Sequence, residues 1–527
     1  MIDLGLPLEL ASAPPAFTTA AAAGDWLAAL SLTHTQQAQT LLARELALLG
    51  GTTIAPDERM RIAETLREAV LFVQHEAQRR FAGRPLPLAP AESSVFDACL
   101  ALWQALETNY LLCLQAGMER YAPDSIALAA QRACSCKCGE LAAHCRAGIV
   151  PAAAWWHRLH QIYRAIEATQ TTLRTVADGL RGNPATTATA AYVEALLLGR
   201  VWAIEAGPRQ IDLIERWAAR WAGKVSVLNS SPREPKTQPL NVDLGGGAPT
   251  GEIAAAAADR RWLELSELRK SLKYRLQALA GGATPAELQL GSDCVQPDCE
   301  DLLKRLYRCW CKPAEAAPAA TVEYELASGF EAIHYFVSGK LFQQPEQGSR
   351  LGVREHDEIA TFGGIVSQRR EEAAHNFATE RWLARAGDLP DMSLSKDLAP
   401  AGQRLGRDQL IALRPDGAKD FMLAAVRSVR LVAESNRLEA HVRLLPGSPS
   451  AVAVRCTGLS ADEGRFDRGL RLPALEALQE PASVLTPNGY FRPGRIVELY
   501  TDCRRQVRLT RLLSRGTDFE RDSFEWE

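Results

Sequence analysis

The chain has 527 residues and a formal net charge of −3, with 47% hydrophobic and 23% charged residues. That length predicts roughly three domains at about 150 residues each, and the composition excludes a disordered, collagen-like or disulfide-scaffold chain. The near-balanced charge argues against a protein built to coat nucleic acid.

The N-terminus opens with Asp3 and Glu9 and has no basic residue in its first ten positions, so it lacks the charged start of a secretory signal. The most apolar stretch, Ala190 to Ala206, is broken by Glu194, Arg200 and Glu205 and reads as a packed helix, so no membrane span is expected. The 12 cysteines are irregularly spaced, which points to reduced thiols in a cytoplasmic chain.

From about residue 25 to 230 apolar residues recur at three- and four-residue spacing. This predicts helices over Arg59–Arg80, Phe96–Ala116, Trp155–Gly179 and Ala190–Trp221. Asp57 and Ser93 stand where N-caps belong, and Gly179 and Gly223 where helices stop. Ser226 to Gly251 holds Pro232, Pro235, Pro239 and the run Gly245-Gly246-Gly247, and reads as linker. A second helical segment follows, with a Leu stripe over Trp262–Ala280 and another helix over Cys299–Trp310. Lys312 to Ala320, rich in Pro and Ala, reads as a further linker.

After Thr321 the pattern changes to short apolar runs bounded by turns. These are Leu410–Leu413, Phe421–Val432, Leu438–Leu444, Val452–Val454, Ala482–Leu485, Arg495–Leu499 and Gln506–Leu512. Strands at this spacing predict an antiparallel barrel or sandwich. Residues 401–515 carry a net +7 and residues 516–527 a net −4. The expected architecture is α+β and multidomain. A helical domain spans 1–235, a linker with a second helical segment spans 236–320, and a β-rich domain spans 321–527.

Several clusters have ligand-like chemistry. Cys134, Cys136 and Cys138, with His144 and Cys145, are residue types that Zn²⁺ favours. They lack paired Cys-x-x-Cys spacing, and positions two apart on a helix face different ways. Small buried thiols in an Ala-rich helix are expected, with no metal. Cys294/Cys299 and Cys309/Cys311 are read as packing residues. The glycine run fits neither a dinucleotide fingerprint nor a P-loop and reads as a flexible linker. His157 and His160, beside Trp155, Trp156 and Tyr163, lack the Glu and third ligand of a zincin, so aromatic packing is expected. No nucleophile elbow, kinase set or His-Glu-x-x-His is present, and no catalytic residues are assigned.

Arg369-Arg370, then Asp391-Met-Ser393, precede the runs Gly406–Leu413, Phe421–Arg427 and Leu438–Leu444. In this region the sequence resembles the PilZ family of bacterial cyclic di-GMP receptors, in which R-x-x-x-R precedes a small β-barrel that carries D/N-x-S-x-x-G. The resemblance implies a six-stranded barrel and a cytoplasmic signalling role. It also implies a cyclic di-GMP site built on Arg369, Arg370, Asp391 and Ser393. Guanidinium groups clamp phosphate and stack on purines, a carboxylate accepts from guanine N–H groups, and a serine adds a short polar contact. Such a site binds and needs no nucleophile or metal.

Two positions depart from the family pattern. The second arginine counted from Arg370 is Ala374, and the glycine counted from Asp391 is Lys396. Two literal R-x-x-x-R matches lie elsewhere, at Arg350/Arg354 far upstream and at Arg381/Arg385 close to Asp391. Gly329–Tyr335, Glu358–Gly363, Pro481–Leu485 and Arg511–Arg521 are similar to segments of long bacterial proteins that place a helical region before a PilZ-like module. The expected function is a signalling protein whose barrel binds cyclic di-GMP weakly, or did so formerly, and relays to a protein partner through the helical region. The alternative is a ligand-free interaction scaffold with a degenerate barrel. A metal-dependent enzyme would rest on Cys134 to Cys145 alone.

Overall fold

A computed structural model describes Leu4, Leu6 and residues 13–117, 122–231, 240–250, 259–312, 321–345, 377–385, 389–399, 402–457 and 465–527. The chain is a helical N-terminal half followed by antiparallel β-barrels. It divides into two compact units. One is formed almost entirely by residues up to 316, and the other mainly by residues 317–430 and 436–527. Among the described residues no helix is long and apolar enough to cross a membrane.

Among the described residues of the first unit ten α-helices follow in order: α1 (Ala20–Ala29), α2 (Thr35–Gly50), α3 (Pro56–Gln78), α4 (Pro90–Gly117), α5 (Pro123–Ala147), α6 (Ala153–Ala168), α7 (Ala188–Gly199), α8 (Pro208–Trp221), α9 (Ser266–Ala280) and α10 (Asp298–Cys311). Proline at the first helical position starts α3, α5 and α8, where its missing N–H costs nothing. Helix α5 is the axis of the unit, and 19 of its 25 residues are buried. Its Ala, Cys and Gly side chains let neighbours approach closely. A Cβ at Gly139 would stand 2.5 Å from the Trp103 ring.

The charges on α5 are paired, as burial demands. Lys137 lies 2.7 Å from Glu140 and 3.3 Å from Glu107. Arg132 lies 2.9 Å from Glu64, and Asp178 takes Arg67 at 2.6 Å.

Several local expectations are corrected. Helix α6 ends at Ala168, eleven residues before Gly179, where the chain turns through Gln170 at φ 58°. The helix expected over Ala190–Trp221 is two helices: α7 ends at Gly199, and α8 starts afresh with Pro208 at its first position. The expected linker contains strands Ser226–Leu228 and Leu240–Asp243, which pair with Arg260–Glu264, so helix α9 begins at Ser266 and not at Trp262.

The glycine run is not a flexible linker along residues 245–250. Gly247 packs so closely on α6 that a Cβ there would lie 2.6 Å from that of Ala153. His160 Nε2 meets the Ala248 carbonyl at 2.9 Å, and Arg200 donates to Thr250 at 2.6 Å. Cys294 and Cys299, expected as reduced packing residues, form a disulfide with Cα atoms 5.4 Å apart, a distance a disulfide spans readily.

The second unit holds two six-stranded antiparallel barrels where one barrel was expected. The first is built from β1 (Thr321–Ser328), β2 (Glu380–Arg385), β3 (Asp391–Asp397), β4 (Leu410–Pro415), β5 (Met422–Val432) and β6 (Arg437–Leu444). Its order is β5-β4-β1-β2-β3-β6, and β6 pairs back to β5 to close the ring. The second contains β7 (Ser450–Cys456), β8 (Asp467–Leu472), β9 (Ser483–Thr486), β10 (Ile496–Tyr500), β11 (Arg504–Arg515) and β12 (Glu520–Trp526), closed in the order β7-β8-β9-β12-β11-β10.

Helix α11 (Phe330–Ser338) sits at the seam between the barrels. Its Ile333 joins Leu410, Ala412 and Leu423 of the first barrel and Leu470, Leu472, Leu485 and Phe519 from the second in one buried cluster. Backbone bonds reinforce the seam. Thr517 N–H donates to the Asp408 carbonyl at 2.8 Å, and Asp518 Oδ1 accepts from Leu410 N–H at 2.9 Å.

Candidate functional site

Alternation along β3 separates its two faces. Met392 and Leu394 point inward and are buried, whereas Asp391 and Ser393 point outward. Register then supplies their neighbours, because directly opposed antiparallel residues share a face. Asp391 faces Arg443 and Ser393 faces His441 on β6, while Arg385 on β2 faces Ser393 from the other side.

Asp391 accepts from Arg443 Nε at 2.9 Å and Nη2 at 2.8 Å, in a half-exposed bidentate pair. Those hydrogen bonds hold its carboxyl below the ordinary range, with Arg427 and His441 contributing further positive potential. Ser393 Oγ lies 3.0 Å from His441 Nδ1. Arg385 is exposed and makes no ion pair or hydrogen bond among the described residues. One strand position along, Glu439 on β6 takes Arg430 at 2.7 Å.

The patch therefore gathers three guanidinium groups and an imidazole around one carboxylate and one hydroxyl. Its chemistry suits a phosphate-bearing ligand with hydrogen-bonding edges.

Lys396, where the sequence resemblance expects a glycine, points into the barrel. Its ammonium lies 2.5 Å from Glu380 and 5.0 Å from the Trp382 ring centroid. The departure from glycine thus fills the barrel end with a paired charge and leaves the outer face clear. Of the expected site residues, Asp391 and Ser393 lie together on β3. Arg369, Arg370, Ala374 and the Arg350/Arg354 match lie outside the described residues, as does Glu358–Gly363.

Arg385, Arg427, His441 and Arg443 were missed from sequence. Only the Arg381/Arg385 spacing pointed toward any of them, and strand register is what brings Arg385 to Ser393.

The cysteine cluster lies along α5, with every thiol buried. Burial raises the thiol dissociation of Cys134, Cys136 and Cys138 well above the ordinary value and pushes Cys145 up to about 12. Cys138 donates to the Ala191 carbonyl at 3.1 Å, and His144 Nδ1 meets the Ile149 carbonyl at 2.9 Å. Among the described residues no three metal-ligating side chains converge. His160 is buried against Tyr192 at 2.7 Å, Tyr163 stacks on Tyr192 with centroids 3.8 Å apart, and His157 is exposed.

Comparison with known proteins bears on both halves. No solved structure matches the chain. Residues 21–233 match the family described as the N-terminal domain of the cyclic-di-GMP receptor FimW, and residues 452–526 match the FimW C-terminal beta-barrel domain. The first barrel lies between these two stretches. The second matched stretch coincides with the second barrel. Neither the matched families nor the relative is named for a catalytic activity. That relative, the cyclic-di-GMP receptor FimW of Pseudomonas aeruginosa, is 24% identical over 93% of this chain and 88% of its own length, so the chain is similar to it from the helical half through the second barrel.

Proposed function

We propose that the chain is a bacterial cytoplasmic receptor for cyclic di-GMP, with the ligand seated on the outer face of the first barrel. The observation that carries this reading is the patch of Arg385, Arg427 and Arg443 around Asp391 and Ser393, in a chain similar along most of its length to a receptor of that name. Arg385 supplies an unengaged guanidinium for a phosphate. Ser393 donates or accepts at short range, and Asp391 offers its carboxylate to guanine N–H groups.

Arg369 and Arg370 are proposed as the approaching arginine pair. Asp391 must share or release Arg443 to meet a guanine, so affinity is modest. Ligand binding is relayed to a protein partner through the helical half. In this reading the protein is a receptor that binds its ligand and does not turn it over.

Calorimetric titration of the full chain with cyclic di-GMP tests the reading. Binding that weakens with added salt and is lost in Arg385→Ala/Arg443→Ala supports the outer-face site. Loss in Arg369→Ala/Arg370→Ala but not in the first variant moves the arginine clamp to that pair. No heat at high ligand excess favours the interaction scaffold.

A further inference from the structure

The second barrel holds a carboxyl group that neither its packing nor the proposed ligand site explains. Asp522 on β12 is completely buried, and both of its oxygens lack a hydrogen-bond partner. It shares the inward face with Val484 on β9 and Leu512 on β11, its directly opposed neighbours. Two other buried polar atoms without partners lie on the same face: Thr486 Oγ1 on β9 and, beyond Val484 on β8, Arg471 Nε.

The charged groups around Asp522 do not neutralise it. Glu520, two positions back on the same face of β12, is a like charge. It takes Arg515 of β11 at 2.7 Å and the Phe491 N–H at 2.8 Å. Arg521 points to the other face, where it holds Ser483 and Glu480 at 3.0 Å. Strand β9 contributes only Val484 and Thr486 to this face, and neither titrates. Arg471 on β8 is separated from Asp522 by Val484.

We propose that Asp522 is a proton-controlled latch: it closes the second barrel as the neutral acid, and its ionisation loosens the last strand and the seam with the first barrel. An ionised carboxylate without a donor in an apolar interior is costly, whereas the neutral acid fits and can donate to a neighbouring oxygen. Burial, and then the Glu520 carboxylate, push its dissociation up to about 7, against the opposing pull of Arg515. The native form thus holds a proton that the unfolded chain gives up in the ordinary carboxylate range. The stabilisation is fully present below that range and is lost as pH rises through about 7.

The link to the first barrel is short. Four residues before Asp522, Asp518 caps the Leu410 N–H, and Phe519 lies in the shared core. Opening of β12 therefore reaches the wall of the barrel that carries the candidate ligand site.

The test is hydrogen exchange of the full chain from about pH 5 to about pH 8, corrected for intrinsic exchange. Protection of residues 483–486 and 516–526 falls by up to about tenfold per pH unit and levels off above about pH 7. Protection of the first barrel's Leu410–Leu413 falls with it. Asp522→Asn flattens this slope, and Glu520→Gln, which removes the neighbouring charge, makes the plateau begin at lower pH. An infrared carbonyl band of a protonated carboxylic acid at about pH 6, absent in Asp522→Asn, reports the proton directly. It can be sought in the parent chain even if a variant folds poorly. An unchanged slope in Asp522→Asn, or no such band in the parent, overturns the proposal.

Discussion

The two barrels share strand number and antiparallel closure but place their polar chemistry on opposite sides of the wall. In the first, the inward-facing Lys396 is answered by Glu380 and stacked on Trp382, and the unengaged guanidinium of Arg385 stands outside in water. In the second, the outward arginine Arg455 is matched by Glu498 at 2.5 Å, while the unanswered group, Asp522, stands inside. A paired interior with free charge outside describes a binding wall. An unpaired interior describes a wall whose closure depends on protonation. The same architecture thus supports a sensor face in one barrel and a conditional closure in the other, joined by a single core.

The largest expected effect tests that joint core. Phe519→Ala removes a fully buried ring from the cluster shared by both barrels, and should cost about 3–5 kcal/mol. Urea titration followed by probes in each barrel should show both transitions moving together. A loss confined to the second barrel would separate them.

Next in size is the interior pair of the first barrel. Lys396→Ala leaves Glu380, among the described residues, with the Gln403 N–H alone and should cost about 3 kcal/mol. Lys396→Met/Glu380→Leu, which replaces the pair by apolar side chains, should recover most of that loss in the same titration. If the double variant is as weak as the single one, the pair does more than satisfy its own charges.

Arg443→Ala has a smaller effect and a different readout. It frees Asp391 but removes a phosphate donor, and loss of a charge-assisted contact of about 1.5–3 kcal/mol weakens cyclic di-GMP binding by roughly ten- to hundredfold. The melting temperature should stay nearly unchanged, because the pair is half exposed.

The smallest effect is the acid response of that pair. The dissociation of Asp391 is held low by Arg443, so its contribution is present above the ordinary carboxylate value and lost as pH falls through the depressed folded value. Solvent screening keeps it to roughly 1 kcal/mol or less. Its sign is opposite to that of Asp522, whose contribution disappears as pH rises. Acid titration of Asp391→Asn against the parent separates the two.

The sequence by itself determined the local grammar. Helical spacing marks α3, α4 and α10, and proline and glycine mark where most elements turn, because those signals act within a few residues. It did not mark the strand Asp391–Asp397, whose alternation puts Asp391 and Ser393 on one face. Local spacing could not show that Gly247 would be held against α6, or that Cys294 would meet Cys299. Nor could it show that twelve strands would close two rings instead of one. Closure depends on which strands pair across long separations, as β1 does with β4 and β7 with β10.

The candidate site divides in the same way. The family resemblance singled out its carboxylate and hydroxyl, but Arg385, His441 and Arg443 reach them only through register. A shift of one residue would turn each of them to the other face. Asp522 is the extreme case. In sequence it is one acid in an acidic C-terminal stretch, and only the closed barrel removes it from water and denies it a partner.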